Sequence, residues 1–221
     1  MKKLLIGFLT LVTTAAFGQV RRGNDIVLKT QFGAYGGLSV ANQWGGGGDY
    51  DNGLAGGIAG IQVAFPISWG WYVQPEVTYS NMGTSFYYNG GKDDYNGNVN
   101  LHMNYVSIPV LFKWELPFTG FGVLFGPQYG YLLNAHQVAT GYDRDNYGRE
   151  NVLAEGYWHR SDFSGVVGLE YYFPNNEYYK GPKFGISVRY QFGFINVSNG
   201  ATYDGSTITN NAFFLTGGIR F

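Results

Sequence analysis

The sequence repeatedly alternates apolar residues with polar or small ones, and this pattern limits the folds open to it. Residues 106–114 show it well, because Val106, Ile108, Val110, Phe112 and Trp114 are apolar and more polar residues separate most of them. Strict alternation is typical of a β-strand with one apolar face. Eight such segments, each more than ten residues long, occupy residues 27–40, 54–65, 71–83, 101–115, 120–135, 161–173, 183–196 and 210–221. Strands of globular proteins average ~5–6 residues, whereas a tilted membrane-spanning strand needs ~9–11.

The connections between these segments also alternate, between short and long. Short connections fall at residues 66–70, 116–119 and 174–182, and long polar ones at 41–53, 84–100, 136–160 and 197–209. Bacterial outer-membrane barrels have an even number of strands, short periplasmic turns and longer outer loops. The sequence therefore predicts an all-β fold, an eight-stranded antiparallel up-and-down transmembrane barrel over residues 19–221. The segment 136–160 is long enough to hold a further hairpin that projects outward.

The composition agrees with a barrel and argues against several other classes. Gly accounts for 35 of the 221 residues, aromatics for 19% and charged residues for 13%, against roughly 25% charged in an average soluble domain. Aromatic residues gather near the predicted strand ends, as interfacial Trp and Tyr do; Tyr172 is assigned to the periplasmic girdle and Trp158 to the outer one. The chain has no Cys and a net charge of −1, so we expect neither a thiolate metal site nor nucleic-acid binding.

The first 18 residues have the layout of a secretory signal peptide. Lys2 and Lys3 form a positive start, an apolar run covers residues 4–12, and Ala16-Phe17-Gly18 fits a small-x-small cleavage site. The apolar run is too short for a membrane-spanning helix, which needs ~20 residues. We therefore expect residues 1–18 to be removed on export and the mature protein to reside in the outer membrane of a Gram-negative bacterium.

Five charged residues lie on the polar faces of the predicted strands. If the apolar faces contact lipid, these residues share the barrel interior: Glu76, Lys113, Glu170, Arg189 and Arg220. Glu76 and Lys113 are on neighbouring strands, as are Glu170 and Arg189, so each acid has a base within reach. The interior of an eight-stranded barrel is just filled by side chains. We therefore predict a polar plug and no open channel; a gate or proton path is the alternative role of the same residues.

Several motifs along these strands resemble a known family. They are QPEVTYS at 74–80, YVSIPVLFK at 105–113, GPQYGYLL at 126–133, the stretch 161–168, VRYQFG at 188–193 and GIRF at 218–221. In this order they resemble the PorT-like outer-membrane β-barrel family, common in Bacteroidetes. The resemblance implies an eight-stranded barrel, and the terminal Phe221 looks like the signal that the barrel assembly machinery recognises. The family's named member is linked to protein secretion and assembly at the outer membrane.

Three functions from different classes are compatible with this sequence. The first is a non-enzymatic structural or binding barrel with long outer loops, in contact with outer-membrane lipid. The second, implied by the resemblance, is an accessory component of an outer-membrane secretion or assembly complex, with proteins of that complex as partners. The third is a surface lipid-modifying enzyme, for which His136, His159, Ser161 and Asp162 are the candidate residues. No Gly-x-Ser-x-Gly motif is present, and no cofactor is expected.

Overall fold

The structure of the protein is a computed structural model. It describes residues 20–22, 26–45, 52–89, 96–117, 119–143, 146–153, 156, 158–174, 181–199 and 207–221. Within these residues, no helix is long and apolar enough to cross a membrane. The predicted signal peptide, residues 1–18, lies outside the described part of the chain.

The described residues form eleven strands. They are β1 (Val20–Arg22), β2 (Ile26–Leu28), β3 (Gln31–Trp44), β4 (Asn52–Ser68), β5 (Trp71–Asn89), β6 (Asn96–Glu115), β7 (Phe121–Asp143), β8 (Asn146–Leu153), β9 (Ser161–Tyr172), β10 (Lys183–Gly193) and β11 (Thr209–Arg220). Strands β1 and β2 form a separate two-stranded sheet.

Eight of these strands close into a ring. The order is β3-β4-β5-β6-β7-β9-β10-β11, and β11 pairs again with β3; every neighbouring pair is antiparallel. Beyond β11, the backbone N–H of Phe221 donates to the Phe32 carbonyl at 2.8 Å, which extends the closing pair. The predicted eight-stranded antiparallel barrel is confirmed.

The predicted outward apolar faces are also confirmed on residues 106–114 of β6 and on β10 and β11. On β6, Ile108, Phe112 and Trp114 are about two-fifths exposed, whereas Leu111 and Lys113 between them are completely buried. The same alternation recurs on β10 and β11, where Phe184, Ile186, Phe213 and Leu215 lie outside. Large apolar side chains therefore cover the outer wall, as a lipid-facing surface requires.

Both chain ends of the barrel lie at the end with the tight turns. There the strands β4 and β5 are joined through Trp69 and Gly70, and Gly70 adopts a φ of 76°. This left-handed conformation favours glycine. We assign this end to the periplasm, because short turns face that side in barrels of this type.

Some strand boundaries differ from the sequence prediction. Residues 27 and 28 belong to β2, so the first barrel strand begins only at Gln31. Much of the long loop predicted at 84–100 is strand, since β5 continues to Asn89 and β6 begins at Asn96. These strands remain paired over more residues than a membrane crossing needs. The alternating pattern of the sequence does not show at which residue a strand leaves the lipid.

The further hairpin considered for residues 136–160 is present. Strand β7 extends to Asp143, and β8 pairs with its last eight residues, from His136↔Leu153 to Asp143↔Asn146. One side of the barrel is consequently taller than the other. Strands β5, β6 and β7 have 19, 20 and 23 residues, whereas β9, β10 and β11 have 12, 11 and 12.

Candidate functional site

The structure places all five predicted charged residues inside the barrel. Their relative exposures are 2% for Glu76, 0% for Lys113, 3% for Glu170, 4% for Arg189 and 5% for Arg220. Each lies on the inward face of its strand, between outward residues that are apolar or small. Charges removed from water to this extent need partners, because an unpaired buried charge is strongly destabilising.

Glu76 and Arg189 form an ion pair between opposite walls. Nη1 of Arg189, on β10, lies 2.6 Å from Oε2 of Glu76, on β5. The Tyr35 hydroxyl donates to the same carboxylate oxygen at 2.6 Å, and Gln74 Nε2 donates to the other oxygen at 2.8 Å. Both oxygens of this buried carboxylate are therefore hydrogen-bonded.

The remaining charges form a second group nearer the periplasmic end. Lys113 Nζ lies 2.7 Å from Glu170 and 3.3 Å from Glu115. Arg220 binds both oxygens of Glu115, at 2.9 and 3.2 Å, and lies 3.6 Å from Glu170. This bidentate contact fixes the orientation of the guanidinium and also neutralises its charge.

Glu115 was missed by the prediction although its position carried the signal. It shares the inward-facing parity of Lys113 on β6, but it is the last residue of the strand. With Glu115 included, three carboxylates face three cations, and we call these six residues the periplasmic network: Glu76, Lys113, Glu115, Glu170, Arg189 and Arg220. The network is neutral when all six are ionised.

The pairs are not those suggested by strand order. Neighbouring strands put Glu76 beside Lys113 and Glu170 beside Arg189, whereas the structure pairs Glu76 with Arg189 and Glu170 with Lys113. The strands of a barrel are tilted and staggered, so residues at similar depth come together across the interior. Apart from Lys113–Glu115, which lies within β6, the ion pairs therefore bridge strands that share no backbone hydrogen bonds.

Tyrosine rings fill the space between these charges. The Tyr172 ring lies under the Arg220 guanidinium at 4.1 Å, and the Tyr35 ring under that of Arg189 at 4.6 Å. The Tyr72 ring lies 5.4 Å from Lys113 Nζ. Such contacts stabilise cations that are shielded from water. The assignment of Tyr172 to the periplasmic girdle was wrong, because its side chain is 5% exposed and points inward.

The outer half of the lumen is mainly apolar. We call its cluster of buried side chains the outer core: Leu101, Met103, Leu132, Ala135, Trp158, Val197 and Ile208. Trp158 and Val197 come from the segments that flank β9 and β10, and backbone hydrogen bonds from His159 to Val197 and from Val197 to Ile208 hold these segments together. The assignment of Trp158 to the outer girdle was wrong, because it is buried in this core.

A small amide-rich group lies beside the outer core, where Gln43 Nε2 is 3.4 Å from Met103 Sδ. Asn210 Nδ2 donates to the Tyr105 hydroxyl at 2.9 Å and to Asp162 at 3.2 Å, and Gln43 Nε2 donates to Asn210 Oδ1 at 3.3 Å. Farther around the wall, Gln128 donates to Gln191 at 2.9 Å.

The residues considered for lipid chemistry are not brought together. Ser161 and Asp162 are consecutive on β9 and point to opposite faces, as strand geometry dictates. The Ser161 hydroxyl lies on the exposed side, 3.0 Å from that of Tyr129, whereas Asp162 is 1% exposed inside the lumen. His159 is exposed, and His136 stacks on His102 instead. Among the described residues, no group of three or more His, Cys, Asp or Glu side chains could hold a metal ion.

Comparison with known proteins identifies the family. Residues 17–199 match the model of the outer membrane protein beta-barrel domain. The chain belongs to this family. It is therefore an outer-membrane β-barrel protein, and the closed ring of antiparallel strands described above is its membrane domain. The narrower PorT-like resemblance stays a prediction, and none of the curated proteins matches the sequence.

Several solved outer-membrane barrels are similar in structure. Ail, the attachment invasion locus protein of Yersinia pestis, has a TM-score of 0.48 and 11% identity, over 88% of this chain and 100% of that one. Neisserial surface protein A has a TM-score of 0.46 and 10% identity, over 86% and 95%. OprG from Pseudomonas aeruginosa has a TM-score of 0.41 and 12% identity, over 86% and 95%.

Proposed function

We propose that this protein is a non-conducting outer-membrane barrel that acts as a structural and binding protein rather than as a pore or an enzyme. The observation that carries the proposal is the periplasmic network. Ion pairs at 2.6 and 2.7 Å join strands that are not neighbours in the ring, and tyrosine rings occupy the space beside them. An ion entering this region would have to displace buried, paired charges, which is costly.

The outer core closes the other half of the same lumen. Leu101, Leu132 and Val197 are at most 1% exposed, so an ion would also have to cross an apolar layer without ligands to replace its water. The charged periplasmic network and the apolar outer core are two successive barriers to an ion, and together they support a closed barrel better than either would alone.

The binding role is supported by the taller side of the barrel. Strands β5, β6 and β7 exceed the ~9–11 residues that a tilted strand needs to cross a bilayer, and the β7–β8 hairpin continues in the outward direction. This outer extension presents a paired sheet beyond the lipid, where it is accessible to ligands or partner proteins.

Planar-bilayer recording tests the closed lumen. We expect the refolded wild-type protein to give no resolvable single-channel current, and Glu170→Gln to behave in the same way. The double variant Glu76→Ala with Arg189→Ala removes two large side chains without leaving a net charge, and we expect it to conduct intermittently. The matched control is Val188→Ala, on the lipid-facing side beside Arg189. A steady current through the wild type would overturn the proposal.

Purification in mild detergent tests the binding role against the accessory role. A lone species of 24.5 kDa, or slightly less without the signal peptide, plus detergent supports an independent binding barrel. Stoichiometric co-purification of envelope proteins would instead favour the accessory component of a secretion or assembly complex.

We further propose that Phe221 is the assembly signal. Its side chain is 70% exposed at the periplasmic end of the closing strand, where an assembly factor could contact it before the ring closes. Phe221→Ala should reduce the amount of folded barrel in cells, measured as the heat-modifiable band on gels, yet leave refolding in detergent unchanged. Equal losses in cells and in detergent would contradict a recognition role.

A further inference from the structure

A ladder of asparagines crosses the outward face of three strands. Asn81 on β5 donates to Asn104 on β6 at 2.6 Å, and Asn104 donates to Asn134 on β7 at 2.6 Å. The Tyr79 hydroxyl donates to the same Asn104 oxygen at 3.0 Å. Polar side chains facing hydrocarbon are costly, so this ladder marks the outer edge of the lipid-facing band on the tall side.

Two histidines face each other two residues beyond this ladder, in the outward direction along β6 and β7. His102 on β6 and His136 on β7 are directly opposite in the strand register. Leu101 and Met103, on either side of His102, are 0% and 1% exposed inside the barrel. Strand alternation therefore directs the His102 side chain outward, and both imidazoles are half-buried at the base of the outer extension.

The spacing of the two rings suits a shared metal ion. Their centroids are 5.7 Å apart, with 29° between the ring planes. Two imidazoles bound to one tetrahedral ion at ~2.0–2.1 Å per nitrogen have centroids roughly 5–6 Å apart. The second side-chain torsion of histidine is broad, so a modest rotation of each ring can direct one nitrogen of each to a common point.

The His102 ring is not covered from the neighbouring strand β5, because its register partner there is Gly83, which has no side chain. A metal ion binds the free lone pair of a neutral imidazole.

We propose that His102 and His136 together bind one divalent transition-metal ion of the zinc or copper class at the outer surface of the barrel. Imidazole nitrogen suits these ions, whereas calcium and magnesium prefer oxygen. Two protein ligands leave the other positions to water, so the ion exchanges readily. Once bound, it joins β6 to β7 where the outer extension leaves the lipid.

The composition makes a direct test possible. The full chain has three histidines and no cysteine, so His159 is the matched control for adventitious binding to an exposed imidazole. The protein is prepared without a histidine tag, refolded in detergent, stripped with chelator and titrated with Cu²⁺ and with Zn²⁺ by calorimetry at pH 7.

We expect one ion per chain, with Cu²⁺ bound more tightly than Zn²⁺, as the general affinity order of these ions predicts. His102→Asn and His136→Asn should each weaken binding by at least about tenfold, and His159→Asn should leave it unchanged. The proposal fails if the double variant lacking His102 and His136 binds as tightly as the wild type, or if His159→Asn alone abolishes binding.

A second measurement needs no variant and so does not depend on variants folding. Electron paramagnetic resonance of the wild-type protein with one equivalent of Cu²⁺ should show hyperfine splitting from two equivalent imidazole nitrogens. A spectrum with a single nitrogen, or with oxygen ligands only, would overturn the proposal.

Discussion

The two halves of the lumen solve the same packing problem with opposite chemistry. The periplasmic half holds six charged side chains paired at 2.6 to 3.6 Å. The outer half holds Leu101, Met103, Leu132 and other apolar side chains. The side chains of both halves are buried, yet only the charged half depends on the identity of each side chain's partner. An apolar side chain tolerates any neighbour of suitable volume, whereas a buried charge requires its counterion.

The largest expected effect is the loss of stability when a buried carboxylate in the periplasmic half loses its cation but the side-chain packing is kept. Arg189→Met keeps an unbranched side chain but leaves Glu76 charged and buried without its cation. We expect the free energy of unfolding to fall by about 3–5 kcal/mol, measured by urea unfolding in lipid vesicles with tryptophan fluorescence. Adding Glu76→Gln should restore most of the loss, since the orphaned charge is gone. A double variant no more stable than the single one would contradict this account.

In the outer half the expected cost comes from lost volume. Leu101 is completely buried, and Leu101→Ala should lower the free energy of unfolding by about 3 kcal/mol through lost contacts and a residual cavity. The matched control is Leu133→Ala on the outer wall, where Leu133 is 42% exposed and about 1 kcal/mol or less is expected. Equal losses in the two variants would mean that the outer core is not closely packed.

The smallest effect concerns a hydroxyl in the periplasmic half. Tyr172→Phe keeps the ring under Arg220 but removes the oxygen that accepts a hydrogen bond from Gln62 at 3.1 Å. We expect a loss of about 0.5–1.5 kcal/mol by the same unfolding assay, well below that of Arg189→Met. A loss as large as that of Arg189→Met would show that the hydroxyl, and not the charge pairing, dominates this half.

Alternation in the sequence predicted the inward face of the charged part of the lumen. It identified the eight barrel strands and five of the six charged members of the periplasmic network. A period of two residues fixes the face of a strand, because successive side chains point to opposite sides. Tyr172 was misplaced because its aromatic character suggested an interface, although it has the inward parity of Glu170 on β9.

Alternation does not determine how deep in the barrel a side chain lies. That depth decides which charged side chains can form ion pairs. Arg189 meets Glu76 rather than Glu170 because of the stagger between strands, which is a property of the closed ring. The apolar outer core was not predicted for a similar reason. In residues 101–104 of β6, the apolar Leu101 and Met103 face inward and the polar His102 and Asn104 face outward. In residues 106–114 of the same strand, the apolar side chains face outward instead.

The position of Arg220 in the chain has a consequence for biogenesis. It lies on β11, the strand that closes the ring with β3, and it binds Glu115 across a separation of 105 residues. Until it arrives, Glu76, Glu115 and Glu170 have only Lys113 and Arg189 as counterions, and the periplasmic network carries an excess negative charge. Contacts this distant in sequence form late because a large loop must close first. A nascent chain that stops short of β11 therefore lacks both the closed ring and a neutral periplasmic network, and this distinguishes complete barrels from truncated ones.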